Sequence, residues 1–105
     1  MAKPPGRAER RAAERAQAKL ARARGRLADL EDGGGAARPI EVESASQVEI
    51  DARARPCTRC AAEVQVVEHT AETIDGARLR LARVRCPRCG NERIYYYRLG
   101  SPLPS

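Results

Sequence analysis

The sequence contains very few of the large side chains from which a small domain builds its core. It has no Trp, no Phe and only 3 Tyr among 105 residues. A chain of this length allows one small domain with extensions, and with so little aromatic area it cannot bury a sizeable core. A bound metal ion is therefore the feature that would allow a small folded unit.

Segments typical of membrane, secreted and catalytic proteins are also missing. No run approaches the roughly 18 apolar residues of a transmembrane helix, so we expect no membrane partner. Residues 1–26 hold no apolar signal segment, and we therefore expect a reducing, cytoplasmic compartment. With no Ser/His/Asp arrangement and no glycine-rich phosphate loop before a helix, we expect neither an enzyme nor a small-molecule substrate.

All 4 cysteines stand in two C-x-x-C pairs, and the second pair is followed by Gly90. Four thiolates form the ligand set of a closed, tetrahedral zinc site, and the two-residue gap lets the chain turn tightly and aim both sulfurs at one point. Gly90 suits such a turn, since the residue after the loop often needs a positive φ. The pattern predicts one structural Zn²⁺ held by Cys57, Cys60, Cys86 and Cys89.

Other uses of these cysteines remain open. Disulfides are disfavoured by the expected reducing compartment. A redox C-x-x-C motif needs a βαβ frame and a core of about a hundred residues, whereas only roughly fifty surround these cysteines. Iron held by four cysteines, as in rubredoxins, is the closest competitor, because the Cys-Pro-x-Cys-Gly sequence of the second pair is shared with them. This segment, however, has no Trp or Phe to help bury an iron.

The net charge of +6 is distributed unevenly along the chain. Residues 1–26 hold nine basic and two acidic side chains (+7), residues 27–56 hold three and seven (−4), and residues 57–105 hold eight and five (+3). The chain therefore reads as a basic arm, an acidic middle segment and a mildly basic cysteine module.

The basic arm is composed of strong helix formers. Residues 7–31 predict a helix of about 25 residues, interrupted only by Gly25 and ended by the glycines at 33–35. Its apolar residues follow the spacing of an a/d seam, at Ala13, Ala16, Leu20, Ala23, Leu27 and Leu30. Three interpretations stay open: a solvated helix docked only by its leucine end, a helix that pairs with another helix, or a basic arm lying along nucleic-acid phosphates.

Within the acidic middle segment, residues 32–56 are predicted to be a linker with a short strand and/or a helix. Glycines make residues 32–39 flexible, and residues 40–43 alternate like a strand. Ser46 and Glu49 form a capping box for a helix of about two turns that Pro56 would end. The same residues also alternate like a strand, so the helix is only the favoured alternative.

Acidic side chains of this segment bear directly on the function of the arm. If they lay beside the basic helix, they would neutralise it within the chain and remove the reason to expect nucleic-acid binding. The residues in question are Glu41, Glu43, Glu49 and Asp51.

The stretch between the cysteine pairs predicts a β-hairpin. Residues 61–69 and 77–85 form equal arms joined by 70–76, and a turn at Asp75-Gly76 returns Cys60 beside Cys86. The covered face is expected to hold Val64, Val66, Leu79, Leu81 and Val84, with a bulge or twist near Ala82.

A third strand is predicted after the second cysteine pair. Residues 93–99 place Ile94 and Tyr96 on one face, which we expect to be the core, and Tyr95 and Tyr97 on the other. The tail, residues 100–105, contains two prolines and is expected to be disordered.

Residues 57–99 resemble a zinc ribbon: one cysteine knuckle, a hairpin, a second knuckle and a closing strand. The resemblance implies a three-stranded antiparallel ribbon, and together with the predicted basic helix within the arm, residues 1–31, it gives a small α+β chain. The chain is similar to small bacterial zinc-ribbon proteins of uncharacterised function, which implies no activity. Elongation factors that rescue stalled RNA polymerase carry an adjacent Asp-Glu pair at the hairpin tip, whereas Glu72 and Asp75 are separated here.

The combined pattern predicts a non-enzymatic zinc-ribbon module that associates with nucleic acid or with a transcription or translation complex. Arginines would contact phosphates, and tyrosines beside arginines would stack on bases. The candidate residues are Arg7, Arg10, Arg11, Arg15, Arg22, Arg88, Arg93, Tyr95 and Tyr97. The alternatives are a protein–protein adaptor that uses the helical seam or the hairpin edge and, more remotely, a redox or rubredoxin-like protein.

Overall fold

The computed structural model describes residues 6–100 as two helices and a four-stranded sheet. The elements in chain order are α1 (Arg7–Asp29), β1 (Ile40–Val42), α2 (Ala45–Ala54), β2 (Gln65–Ile74), β3 (Ala77–Arg85) and β4 (Glu92–Leu99). The strands lie in the order β1-β4-β3-β2, and only β1 is parallel to its neighbour. The predicted α+β class is confirmed.

The predicted three-stranded antiparallel sheet is wrong, because β1 adds a fourth strand. Ile40 pairs with Tyr97 and Val42 pairs with Leu99, in parallel. Paired residues share one face of a sheet, so Ile40 and Val42 pack against the core on the same face as Tyr97. Burial of this apolar pair explains why a segment of three residues joins the sheet.

Helix α1 is exposed to solvent over most of its surface, and only four small residues near its C-terminal end are half-buried. It ends at Asp29, two residues before the predicted end, and none of its side chains is buried. The seam leucines Leu20, Leu27 and Leu30 are 55%, 62% and 66% exposed, so the interpretation in which the leucine end is docked on the sheet is wrong. An ion pair of 2.9 Å between Asp29 Oδ1 and Arg93 Nη1 joins the helix to β4.

The connection after α1 is anchored at Gly33 and is not free along its whole length. Gly33 is buried with φ +86°, and its carbonyl accepts a hydrogen bond of 2.9 Å from the Tyr96 N–H. A Cβ atom at this position would collide with the side chain of Ile40. Glycine is therefore required here for both its backbone conformation and its small size.

Helix α2 confirms the helical alternative for the middle segment, but its cap differs from the predicted one. Ser44 is the N-cap, and Ser46 lies inside the first turn. The predicted box of Ser46 and Glu49 is wrong because the helix begins at Ala45, before Ser46, and the side chain of its N-cap Ser44 makes no capping hydrogen bond. The Gln47 Oε1 atom accepts a hydrogen bond of 2.7 Å from the Glu43 N–H.

Strands β2 and β3 form the predicted antiparallel hairpin. Asp75 and Gly76 have φ values of 50° and 82°, which is typical of a two-residue turn that matches the twist of the strands. The connection is therefore these two residues and not the predicted 70–76. The register shifts between Val66 and Glu68 on β2, so the predicted bulge near Ala82 of β3 is wrong.

Tyr95 and Tyr97 lie in the core, which reverses the predicted faces of β4. They are 6% and 0% exposed, whereas Ile94 on the other face is 38% exposed. The reason is that α2 packs over the face of Tyr95 and Tyr97, with Val48 and Ala52 buried between them. Leu79 and Leu81 are also buried but lie on the opposite face, since Leu81 pairs with Tyr96.

A polar network fastens α2 to the sheet. The Tyr97 hydroxyl and the Arg55 Nε–H each donate a hydrogen bond of 2.7 Å to Asp51 Oδ2. Partial burial raises the pKa of Asp51, but these two donors outweigh it and hold that pKa below its usual value. Burial, followed by the bond to Asp51, raises the pKa of the Tyr97 hydroxyl.

The C-terminal end of the described range remains attached to the sheet. The Gly100 N–H donates to the Val42 carbonyl over 2.6 Å. The rest of the predicted disordered tail, residues 101–105, lies outside the described residues. Within residues 6–100, neither helix has the length and apolarity needed to cross a membrane.

Candidate metal centre

Both C-x-x-C pairs fold into the same backbone turn. In the first, the Ala61 N–H donates to the Cys57 carbonyl over 2.8 Å, and in the second the Gly90 N–H donates to the Cys86 carbonyl over 2.8 Å. Ala61 and Gly90 have φ values of 62° and 78°. The turn predicted at Gly90 is thus confirmed, and the first turn repeats it with an alanine.

The two turns bring all four cysteine sulfurs into one cluster. The Sγ atoms lie within 4.8 Å of one another. Two close separations cross between the turns, at 3.6 Å for Cys57 and Cys89 and 3.5 Å for Cys60 and Cys86. A tetrahedral zinc site with a Zn–S distance of about 2.3 Å separates its sulfurs by about 3.8 Å. The arrangement therefore fits a single metal ion of this size.

The cluster forms one side of the hydrophobic core. Cys57 and Cys86 are buried in it, whereas Cys89 is exposed to solvent. All four thiols are free. Four protein sulfurs complete a tetrahedral coordination shell, and no position then remains for a water molecule or a substrate. The cluster could therefore hold a metal ion with a cysteine sulfur as every ligand.

Backbone N–H groups prepare two of the thiols for ionisation. The Cys89 N–H, followed by the Cys60 thiol and the Arg88 N–H, lowers the pKa of Cys86 to about 7 although burial opposes the change. Burial raises the pKa of Cys57, but the N–H groups of Cys60 and Arg59 outweigh it and the pKa is lowered. A thiolate is the metal-binding form of cysteine, so these donors favour metal binding.

The other two thiols keep their protons more strongly. The Ala62 N–H lowers the pKa of Cys60, but the neighbouring thiols, Cys86 above all, raise it to about 11. The Asn91 N–H lowers the pKa of Cys89, but burial and the Cys57 thiol outweigh it, so that this pKa is raised as well. Metal binding to this cluster must therefore displace protons, which makes the affinity dependent on pH.

The acidic middle segment does not neutralise the basic helix. Glu41 pairs with Arg98 and Asp51 with Arg55, while Glu49 lies 3.5 Å from His69. None of the eight basic residues of α1 forms an ion pair within residues 6–100. Neutralisation of the arm within the chain is therefore wrong, because three of the four acidic side chains have partners on α2 and the sheet, and Glu43 forms no ion pair within residues 6–100.

Six of the basic residues of α1 lie along one face, a set we call the basic stripe. At 3.6 residues per turn, their spacing of four, four, four, three and four residues keeps them within an arc of about 120°. The basic stripe consists of Arg7, Arg11, Arg15, Lys19, Arg22 and Arg26. Arg10 and Arg24 lie roughly 120° and 160° from its centre. The sequence already contains this spacing, but the summed charge of the arm does not show that the basic residues share one face of the helix.

The remaining candidate residues for nucleic-acid binding divide by burial. Arg88 is exposed on the second turn. Arg93 has a side chain only 10% exposed and lies 5.3 Å from the centre of the Tyr95 ring. Tyr95 and Tyr97 are buried core residues, so the prediction that their rings stack on bases is wrong.

The parts of residues 57–99 occur in the order that the zinc-ribbon resemblance implies. The two cysteine turns flank the β2–β3 hairpin, and β4 follows the second turn. No protein-family model, no curated protein and no solved structure matches the chain. The resemblance therefore rests on the cysteine turns and the strand order alone.

Proposed function

We propose that this protein is a zinc-stabilised, non-enzymatic binding module whose basic stripe contacts nucleic acid. The convergence of four cysteine sulfurs within 4.8 Å carries the metal part of the proposal. The solvent-exposed helix, whose basic residues have no ion-pair partner within residues 6–100, carries the nucleic-acid part.

Zinc is favoured over iron by the surroundings of the sulfurs. Cys89 is exposed and Cys60 is half-buried, so solvent reaches one side of the cluster. Zinc has no redox chemistry, and a solvated four-thiolate shell suits it. We expect elemental analysis of the purified protein to find one zinc per chain. Iron in that proportion, with the colour of an iron–thiolate centre, would contradict this assignment.

The basic stripe has the properties of a phosphate-binding surface. From Arg7 to Arg26 it spans about 28 Å at 1.5 Å per residue. Guanidinium groups bind phosphates through paired, charge-assisted hydrogen bonds, and an exposed helix without acidic partners leaves these groups available. Such binding is independent of base sequence and weakens as salt rises, because it depends on counterion release.

The nucleic-acid proposal is tested by the salt dependence of binding. We expect the full chain to bind single-stranded oligothymidylate and duplex DNA at about 50 mM salt. Removing one phosphate-binding side chain should lower the log–log slope by about 0.7 on a single strand and 0.9 on a duplex. The variant R11Q/R15Q removes two stripe residues and should lower the slope accordingly.

A matched variant controls for net charge. R24Q/R78Q removes the same charge, but Arg24 lies off the basic stripe and Arg78 lies beside the hairpin turn, at the far end of β3 from Cys86. We expect it to leave the slope unchanged. Absence of binding by the full chain at about 50 mM salt would refute the nucleic-acid proposal.

A protein–protein adaptor is the second candidate function. It is supported by Leu20, Leu27 and Leu30, which are all more than half exposed along the helical seam. The two candidates are distinguished by what co-purifies with the protein before and after nuclease treatment. A nuclease-resistant protein partner supports the adaptor, and RNA or DNA supports the nucleic-acid function.

A further inference from the structure

A cleft of about 290 Å³ separates the C-terminal half of α1 from the first cysteine turn and the start of β4. It is lined by charged side chains from three parts of the fold. Arg22, Arg26 and Asp29 belong to α1, Arg59 belongs to the first turn, and Glu92 and Arg93 belong to β4. We call it the arginine cleft.

The acidic side chains of the arginine cleft already have basic partners. Asp29 pairs with Arg93 over 2.9 Å, and Glu92 lies 3.5 Å from Arg83, which is not part of the cleft. Arg22, Arg26 and Arg59 form no ion pair within residues 6–100. Three guanidinium groups thus share one cleft in which no carboxylate pairs with them, an arrangement that an anion would stabilise.

Arg93 supplies a second, independent sign of a missing acceptor. Its side chain is nine-tenths buried, and Nη1 is bonded to Asp29. Its Nε atom is buried and has no hydrogen-bond partner within residues 6–100. Buried N–H groups in folded proteins nearly always have an acceptor, so this donor of a cleft residue is one that an acceptor oxygen would satisfy.

We propose that the arginine cleft binds a backbone phosphate of a nucleic-acid strand, an inference that rests on the proposed function and names one binding position within it. Arg22 and Arg26 are the last two residues of the basic stripe, so a strand that follows the stripe reaches the cleft at its end. The planar guanidinium of Arg59 approaches from the opposite wall and matches the phosphate oxygens.

The position of Arg59 connects the cleft to the metal centre. Arg59 lies between Cys57 and Cys60, and its own N–H donates to the Cys57 sulfur over 3.4 Å. Cysteines held by a metal fix this turn and with it one wall of the cleft. Four thiolates around Zn²⁺ carry a net negative charge of about two units. Arg59 and the neighbouring Arg88 offset that charge.

The cleft is tested by comparing two variants of the full chain with equal reductions in charge. R26Q/R59Q removes one arginine from each wall, and R24Q/R78Q is the matched control. We expect R26Q/R59Q to lower the log–log salt slope for oligothymidylate by about 0.7 to 1.4, and the control to leave it unchanged. Zinc content and circular dichroism equal to those of the wild type show that both variants are folded.

A resonance of Arg93 reports occupation of the cleft directly. We expect the ¹⁵N–¹H signal of the Arg93 Nε group to shift when oligothymidylate is added to the full chain, and to stay unshifted in R26Q/R59Q. The control R24Q/R78Q should retain the shift. This readout does not depend on the overall affinity, to which every stripe residue contributes.

The outcomes separate the cleft from the proposed function. If the wild type binds and R26Q/R59Q and R24Q/R78Q have equal log–log salt slopes, the cleft proposal is overturned and the basic stripe remains as the binding surface. A shift of Arg93 with inorganic phosphate but none with oligothymidylate makes the cleft a free-phosphate site and overturns strand binding there. Absence of oligonucleotide binding by the wild type overturns the proposed function, and the cleft proposal with it.

Discussion

Helix α1 and the metal module, which we define as residues 33–100, are stabilised in opposite ways. The helix has no buried side chain and consists of residues with high helix propensity. The metal module contains every buried hydrophobic residue found within residues 6–100, and two of its cysteines belong to that core. The first region therefore depends mainly on local helix propensity, whereas the second depends on contacts between distant residues, and we propose that a metal ion adds to them.

Removal of the metal should give the largest difference in stability between the two regions. Metal binding by thiolates contributes about 10–16 kcal/mol in small zinc-binding peptides, more than a core this small can supply. We expect a strong chelator, or Cys86→Ser, to unfold the metal module while the helical signal of α1 changes little. Circular dichroism with elemental analysis measures both. A native β-sheet signal in metal-free protein would contradict the proposal that the metal module needs the metal ion to fold.

Loss of the bond between β4 and α2 tests the core of the metal module alone. Tyr97→Phe removes the hydroxyl that donates to Asp51, and we expect it to lower the free energy of unfolding by about 1–2 kcal/mol. Tyr96→Phe is the matched control, since Tyr96 lies on the other face of the sheet. Chemical denaturation of the zinc-bound proteins measures the difference. Equal losses would show that the Asp51 bond contributes nothing specific.

The same network has a defined pH dependence. Because the folded-state pKa of Asp51 is lowered, its contribution is present above its unfolded pKa of about 3.9 and is lost as the pH falls through the folded value. Asp51→Asn should therefore be less stable than the wild type at neutral pH, by about 1–2 kcal/mol. This difference in the free energy of unfolding should narrow below about pH 4. If denaturation experiments find the same difference at neutral pH and below pH 4, the ionised Asp51 carboxylate does not stabilise the network.

Shortening the chain locates the boundary between the two regions. A chain that begins at Asp32 keeps Gly33 against Ile40 and Tyr95, and we expect it to fold around zinc. A chain that begins at Arg38 loses the hydrogen bond from Tyr96 to Gly33 and should be less stable by about 1 kcal/mol. If the chain from Asp32 does not fold, α1 contributes to the metal module and the contrast fails.

The smallest expected effect compares the two cysteine turns within the metal module. Ala61 adopts a positive φ that suits glycine, and Gly90 occupies the equivalent place. Ala61→Gly should raise the free energy of unfolding by about 0.5–1 kcal/mol, and Gly90→Ala should lower it by about 1 kcal/mol. Thermal unfolding of the zinc-bound proteins tests both. A loss of stability in Ala61→Gly would show that the first turn is not strained.

Short-range signals in the sequence predict a large part of this structure. The cysteine spacing, the Asp75-Gly76 turn and the helix formers of α1 each act within a few residues, and each corresponds to an element that is present. The cap of α2 shows the limit of such signals. Ser44 and Ser46 each precede a suitable residue by three positions, and the choice between them depends on where β1 ends.

Long-range packing explains the predictions that are wrong. Three consecutive tyrosines give both faces of β4 the same apolar character, so their burial is decided by which face α2 covers. Likewise, nothing in residues 40–42 indicates that their partner is the strand farthest from them in the chain. The site ligands are predictable because their chemistry is local. The arginine cleft is not, because its walls come from α1, the first turn and β4.

The parallel pairing of β1 with β4 also determines the order in which the molecule assembles. Ile40 and Tyr97 are 57 positions apart, and closing such a loop costs about 3–4 kcal/mol of chain entropy. The β2–β3 hairpin closes through a two-residue turn, and a metal ion held by both cysteine turns would then fix the base of that hairpin. We expect β1 to join last and to detach first during partial unfolding. Each detachment uncovers the outer edge of β4, where a strand from another molecule can pair.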